Sequence, residues 1–252
     1  MRRAILGLLF AVLSATAASG CARAPIADPD GQAPSEQPSP TQVYEGCPAD
    51  APAVTRAKAI VLVDLDGDGT SATVDLVSAG RGPCGTGLVL RRPAGATGVK
   101  LDAPLDPSTV QIVDLLGTDR QLLMVSGPGH PRGGFAVHLF GADDAGITEV
   151  TLPSGEPVLP FVATDGGGLP VTATCESDGQ IAVVSAVPHK PPGIVLDWDV
   201  TTTTYTLDAG TASVKSRSTT EPPVIDPTLR RQMPQLFDPG AYFAGCVTRS
   251  AG

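Results

Sequence analysis

Aromatic side chains make up only 4% of this 252-residue chain, and there are just three histidines. The formal net charge is −9. A chain this acidic and this poor in aromatics lacks both the cations that neutralise phosphates and the rings on which bases stack, which excludes a nucleic-acid binder. The same charge is repelled by anionic headgroups, so no basic patch would hold the protein on a membrane. Catalytic motifs are missing as well: there is no G-x-S-x-G elbow, no H-E-x-x-H helix and no P-loop. His138 lies in a strand-like run beside Phe140, and His189 precedes Lys190-Pro191-Pro192. Ser126-Gly127-Pro128-Gly129-His130 puts a hydroxyl near an imidazole. With an acid, Ser126 and His130 would serve an alternative reading, a hydrolase of the cell envelope. The glycines of that stretch are followed by no helix, so a phosphate cradle is not expected. With no two cysteines close in sequence and few histidines, zinc is not expected either.

The N-terminus is informative. Arg2 and Arg3 precede an apolar stretch from Ala4 to Ala17, long enough for a signal-peptide core but short for a bilayer span. Ala18-Ser19-Gly20-Cys21 follows and resembles a bacterial lipobox, which implies acylation of Cys21 and an anchor at the extracytoplasmic face of the cell membrane. Each buried methylene of an acyl chain contributes about 0.8 kcal/mol, so several chains hold the protein essentially permanently. Residues 1–20 then read as the lipoprotein signal peptide. Residues 21–46 are rich in Pro, Ala, Ser, Gln and Asp and read as a disordered tether, because they have too little apolar surface to offset the entropy of ordering.

Five cysteines are present. With Cys21 acylated, Cys47, Cys84, Cys175 and Cys246 remain, an even set that implies two disulfides in an exported chain. Three pairings are possible. The expected one joins Cys47 to Cys246 across the ends of the fold and Cys84 to Cys175 inside it, each contributing about 4 kcal/mol by loop closure.

The rest reads as all-β. Ala59–Val63, Val110–Leu116, Leu122–Ser126, Phe135–Phe140, Ile181–Val187, Leu196–Val200 and Thr201–Leu207 are β-branched or alternating runs. Glycine- and proline-rich clusters such as Gly80-Arg81-Gly82-Pro83 punctuate them. A helix is expected over Pro227–Leu236, capped by Asp226 and broken at Pro234. Asp64, Asp114 and Asp165 each end a β-like run, at intervals of about 50 residues, which suits repeated four-stranded units. Residues 47–220 therefore read as a β repeat domain. Residues 221–252 read as a C-terminal segment packing on it, a short helix or wrap, with the apolar stretch Phe237–Phe243 able to cover a sheet edge. Three repeats are too few to close a ring. The expected fold is an incomplete β-propeller-like arrangement of about three repeats, with a β-sandwich as the alternative.

The sharpest signal is Asp64-Leu65-Asp66-Gly67-Asp68-Gly69-Thr70-Ser71-Ala72-Thr73-Val74-Asp75. Carboxylates stand at positions one, three and five, a glycine at six and an acid at twelve, the spacing of a calcium loop. The competing reading is a metal-free Asx turn. Magnesium fits less well, since it demands tight octahedral geometry. The stretch Val63–Gly69 between two strands resembles the FG-GAP/VCBS repeat of integrin-α-type β-propellers. The resemblance implies one structural calcium ion on a β-hairpin loop, with Asp64, Asp66 and Asp68 as side-chain ligands and Thr70 offering its carbonyl. Family loops carry a further aspartate at position nine, where this chain has Ala72; Asp75 is the candidate to replace it. The layout as a whole resembles lipoproteins of high-GC Gram-positive bacteria. The function expected is a non-catalytic binding or scaffold module with an envelope protein or glycan as partner; a purely structural envelope protein is the alternative.

Overall fold

A computed structural model describes residues 42–78, 82–102, 109–127, 136–159, 170–189, 196–238 and 241–250. Cys21, His130 and the third expected run, Phe161–Thr164 with Asp165, lie outside the described residues. The protein is all-β, as its patterning indicates. Its body is three successive four-stranded antiparallel meanders. Sheet 1 is β3 (Lys58–Val63), β4 (Ala72–Val77), β5 (Thr86–Arg92) and β6 (Gly95–Leu101). Sheet 2 is β7 (Val110–Asp114), β8 (Gln121–Ser126), β9 (Val137–Asp143) and β10 (Gly146–Glu149). Sheet 3 is β11 (Val171–Cys175), β12 (Ile181–Pro188), β13 (Asp197–Asp208) and β14 (Thr211–Thr219).

The sheets stack face to face, and the alternation of strand side chains shows how. In β8, Leu123 and Val125 enter a core with Val74, Leu88 and Leu90 of sheet 1. Leu122 and Met124 point the other way, into a core with Val171, Ala173, Ile181 and Val183 of sheet 3. Sheet 2 is thus covered on both faces, which is why β8 reads as a continuous apolar run. Sheets 1 and 3 each have one face left over, and segments from either side of the meanders cover these. Strands β1 (Gln42–Tyr44) and β2 (Cys47–Pro48) and the one-turn helix α1 (Pro52–Thr55) bring Val43, Tyr44 and Val54 onto Val77 and Val89. The Tyr44 ring lies on Gly87 and Gly98: a Cβ on either glycine would come within 2.7 Å of it. On sheet 3, strand β15 (Val224–Ile225), helix α2 (Asp226–Gln232) and a 3-10 turn (Pro234–Phe237) pack Leu229 and Leu236 onto Ala186, Trp198 and Val200.

The last described segment runs between sheets 2 and 3. Strand β16 (Val247–Ser250) pairs antiparallel with β7 and makes sheet 2 five-stranded. Just before it, the Phe243 N–H donates to the Ala173 carbonyl on β11 at 2.8 Å.

Three expectations change. The disulfides are Cys47–Cys84 and Cys175–Cys246, not Cys47–Cys246 and Cys84–Cys175. A disulfide needs Cα atoms within about 7 Å. Cys47 and Cys84 share the cluster on the outer face of sheet 1, whereas Cys246 sits in the core between sheets 2 and 3. The folded region also begins before residue 47, since β1 lies within the expected tether and buries Val43 and Tyr44. Finally, Asp226 is the first helical residue rather than the cap; Ile225 holds the cap position. The Asp226 carboxylate accepts from Trp198 Nε1 at 2.9 Å and Arg230 Nε at 2.8 Å, pinning α2 to sheet 3.

Candidate metal site

The acidic loop is the turn between β3 and β4. Leu65, 2% exposed, anchors it in the core between sheets 1 and 2. Asp64 organises the turn: Oδ1 accepts the Gly67 N–H at 2.8 Å and Oδ2 the Gly69 N–H at 2.9 Å. Gly67 and Gly69 have φ of 76° and 82°, a conformation that strains residues with a side chain. The Thr70 N–H donates to Asp68 Oδ1 at 2.6 Å. Sheet 2 clamps the base of the loop. The Asp64 N–H donates to Gln121 Oε1 and the Gln121 N–H to the Asp64 carbonyl, at 2.8 and 2.9 Å. Gln121 Nε2 in turn donates to Asp114 at 2.6 Å.

Asp64, Asp66 and Asp68 each offer a carboxylate oxygen within 4.8 Å of the others. Two oxygens bound to one calcium ion at 2.3–2.6 Å lie no more than about 5 Å apart, so this donor set fits a hard cation. One counter-charge is already present. Arg92 Nη2 contacts Asp66 Oδ2 at 2.6 Å, and Arg92 Nη1 donates to the Asp143 carbonyl on sheet 2 at 2.6 Å. Sequence reading missed Arg92 because it is brought to the loop from the far end of β5.

Asp75 does not belong to the loop. Strand β4 starts at Ala72, so positions nine to twelve are extended, and alternation sends Asp75 to the face opposite Val74 and Leu76. There it is 4% exposed and ion-paired with Arg91 Nε, while Arg91 Nη2 donates to the Val54 carbonyl of α1 at 2.7 Å. In a helix-flanked loop the returning helix carries position twelve back to the ion; a strand carries it away.

No family model, curated protein or solved structure matches this chain.

Among the described residues, the two histidines each pair with a carboxylate. His138 Nδ1 lies 2.7 Å from Glu149 Oε1. That hydrogen bond raises the imidazole pKa above its ordinary value, and burial opposes the rise. His189 Nδ1 lies 2.8 Å from Asp199. Among the described residues, no hydroxyl or thiol hydrogen-bonds either ring. Ser126 pairs across the sheet with Val137, and His138 with Val125, so Ser126 and His138 stand on opposite faces of sheet 2. The hydrolase reading pairs Ser126 with His130, which lies outside the described residues.

Proposed function

We propose that this chain is a lipid-anchored, extracytoplasmic, non-catalytic scaffold or binding protein of FG-GAP/VCBS-like type, stiffened by one structural calcium ion. The acidic triad carries the reading. Three carboxylate oxygens gathered within 4.8 Å on a glycine-turned hairpin repel one another, and one arginine offsets only part of that charge. Asp64, Asp66 and Asp68 would hold the ion, with the Thr70 carbonyl as the backbone donor; Asp75 is not in the set. The ion would supply fixed positive charge at a loop that Gln121 and Arg92 join to sheet 2, tying two sheets together. The partner would be an envelope protein or glycan. Anchoring would come from the acylated Cys21.

Calcium titration of the oxidised protein by calorimetry, with parallel thermal melting, tests the metal. Saturation at about 100 times Kd stabilises by about 2.7 kcal/mol, which raises Tm by about 5–11 °C in a domain of this size. Asp66→Ala/Asp68→Ala should abolish both heat and shift. If the parent protein shows neither, the loop is an Asx turn. Palmitate labelling of the full chain beside Cys21→Ala tests the anchor separately.

A further inference from the structure

A cleft of about 500 Å³ opens beside α1, a volume typical of small-ligand sites. Ala51, Ala53, Ala57 and Pro83 supply apolar wall, and Arg56 and Lys58 add two cations. Both cations are exposed, and neither has an ion pair or side-chain hydrogen bond with any described residue. No described acid lines the cleft. Asp75, which projects from the neighbouring part of sheet 1, is held by Arg91. Unpaired cations beside apolar walls are unexpected in a chain of net charge −9, where carboxylates outnumber them elsewhere.

We propose that this cleft binds a small amphipathic anion, a carboxylate or phosphate head on a short aliphatic body. The head would accept hydrogen bonds from Arg56 and Lys58, and the tail would lie against the apolar wall. Charge-assisted bonds gain strength where such walls exclude water. The cleft is pre-formed: the Cys47–Cys84 disulfide fixes one side, and the bond from Arg91 to the Val54 carbonyl fixes α1 on the other. A rigid site loses less entropy on binding than one that must order.

Calorimetry on the Cys21→Ala protein with octanoate, octyl phosphate, octanol and acetate tests this. The two amphipathic anions should bind. Octanol, lacking charge, and acetate, lacking a tail, should each bind at least about ten-fold more weakly, as should octanoate to Arg56→Gln/Lys58→Gln. The head group has two sources, which sedimentation with phosphatidylglycerol vesicles separates. Pelleting that needs Arg56 and Lys58 assigns it to a bilayer lipid; octanoate binding without pelleting assigns it to a free ligand. Equal binding of octanol and octanoate, unchanged binding by the double variant, or no binding of any probe at millimolar concentration overturns the proposal.

Discussion

The two disulfides make a prediction whose size follows from chain length. Cys47–Cys84 spans a sequence separation of 37 residues and Cys175–Cys246 one of 71. Loop-closure entropy assigns them about 3.8 and about 4.4 kcal/mol at 25 °C. Cys47→Ala/Cys84→Ala should therefore lower stability by about 4 kcal/mol, and Tm by about 8–15 °C, while leaving no free thiol in the folded region. Cys47→Ala/Cys246→Ala removes the same number of sulfurs but breaks both bonds. It should cost about twice as much and leave Cys84 and Cys175 free. Denaturant unfolding, with thiol counting under native and denaturing conditions, distinguishes the two double variants. The larger loss in the first variant, with two free thiols there and none in the second, would show that Cys47 pairs with Cys246, and the layer assignment of both terminal segments would fall with it.

Three other perturbations separate structural from functional roles. Thr172 in β11 is 1% exposed, and its hydroxyl has no hydrogen-bond partner among the described residues. Thr172→Val keeps the branched shape and removes an unsatisfied polar group, so urea unfolding should show a gain of about 1 kcal/mol; a loss would mean that the hydroxyl is satisfied. Asp75→Asn should cost about 1–3 kcal/mol, tempered by the partly exposed Arg91, yet leave calorimetric calcium affinity unchanged; a drop in affinity would return Asp75 to the metal site. His138 has a raised pKa in the fold through Glu149. Its stabilisation is thus fully present below its unfolded pKa of about 6.5 and is lost as pH rises through the folded value. The stability gap between the parent and His138→Gln should be larger at about pH 5.5 than at about pH 8.5, and a gap that widens with pH would contradict the assignment.

Local pattern made some elements legible and hid others. Strands β7, β8 and β12 stand out because their side chains are buried and β-branched or leucine-rich over consecutive positions. Strand β6, Gly95–Leu101, carries no such run: two of its seven residues are glycines, and Gly98 is small because the Tyr44 ring lies on it. Strand β14 is exposed at all but one position, so it has no apolar face to read. Helix α2 was legible from Pro227 and the later break at Pro234, but the role of Asp226 depended on Trp198, a residue 28 positions earlier.

The same division runs through the candidate site. Its turn is local: Asp64 bonds Gly67 and Gly69 within five residues, so the alternating aspartates and glycines dictate the loop wherever the chain places it. The sequence by itself also determined the all-β class, since β-branched runs between glycine turns leave few other ways to bury apolar surface. Everything that joins distant segments was decided by the tertiary structure. Arg92 reaching Asp66 and Arg91 claiming Asp75 depend on β5 pairing with β4, and each cysteine's partner depends on where the terminal segments pack. Side-chain alternation states that a strand has two faces; only the packing of three sheets and their two covering segments decides what each face meets.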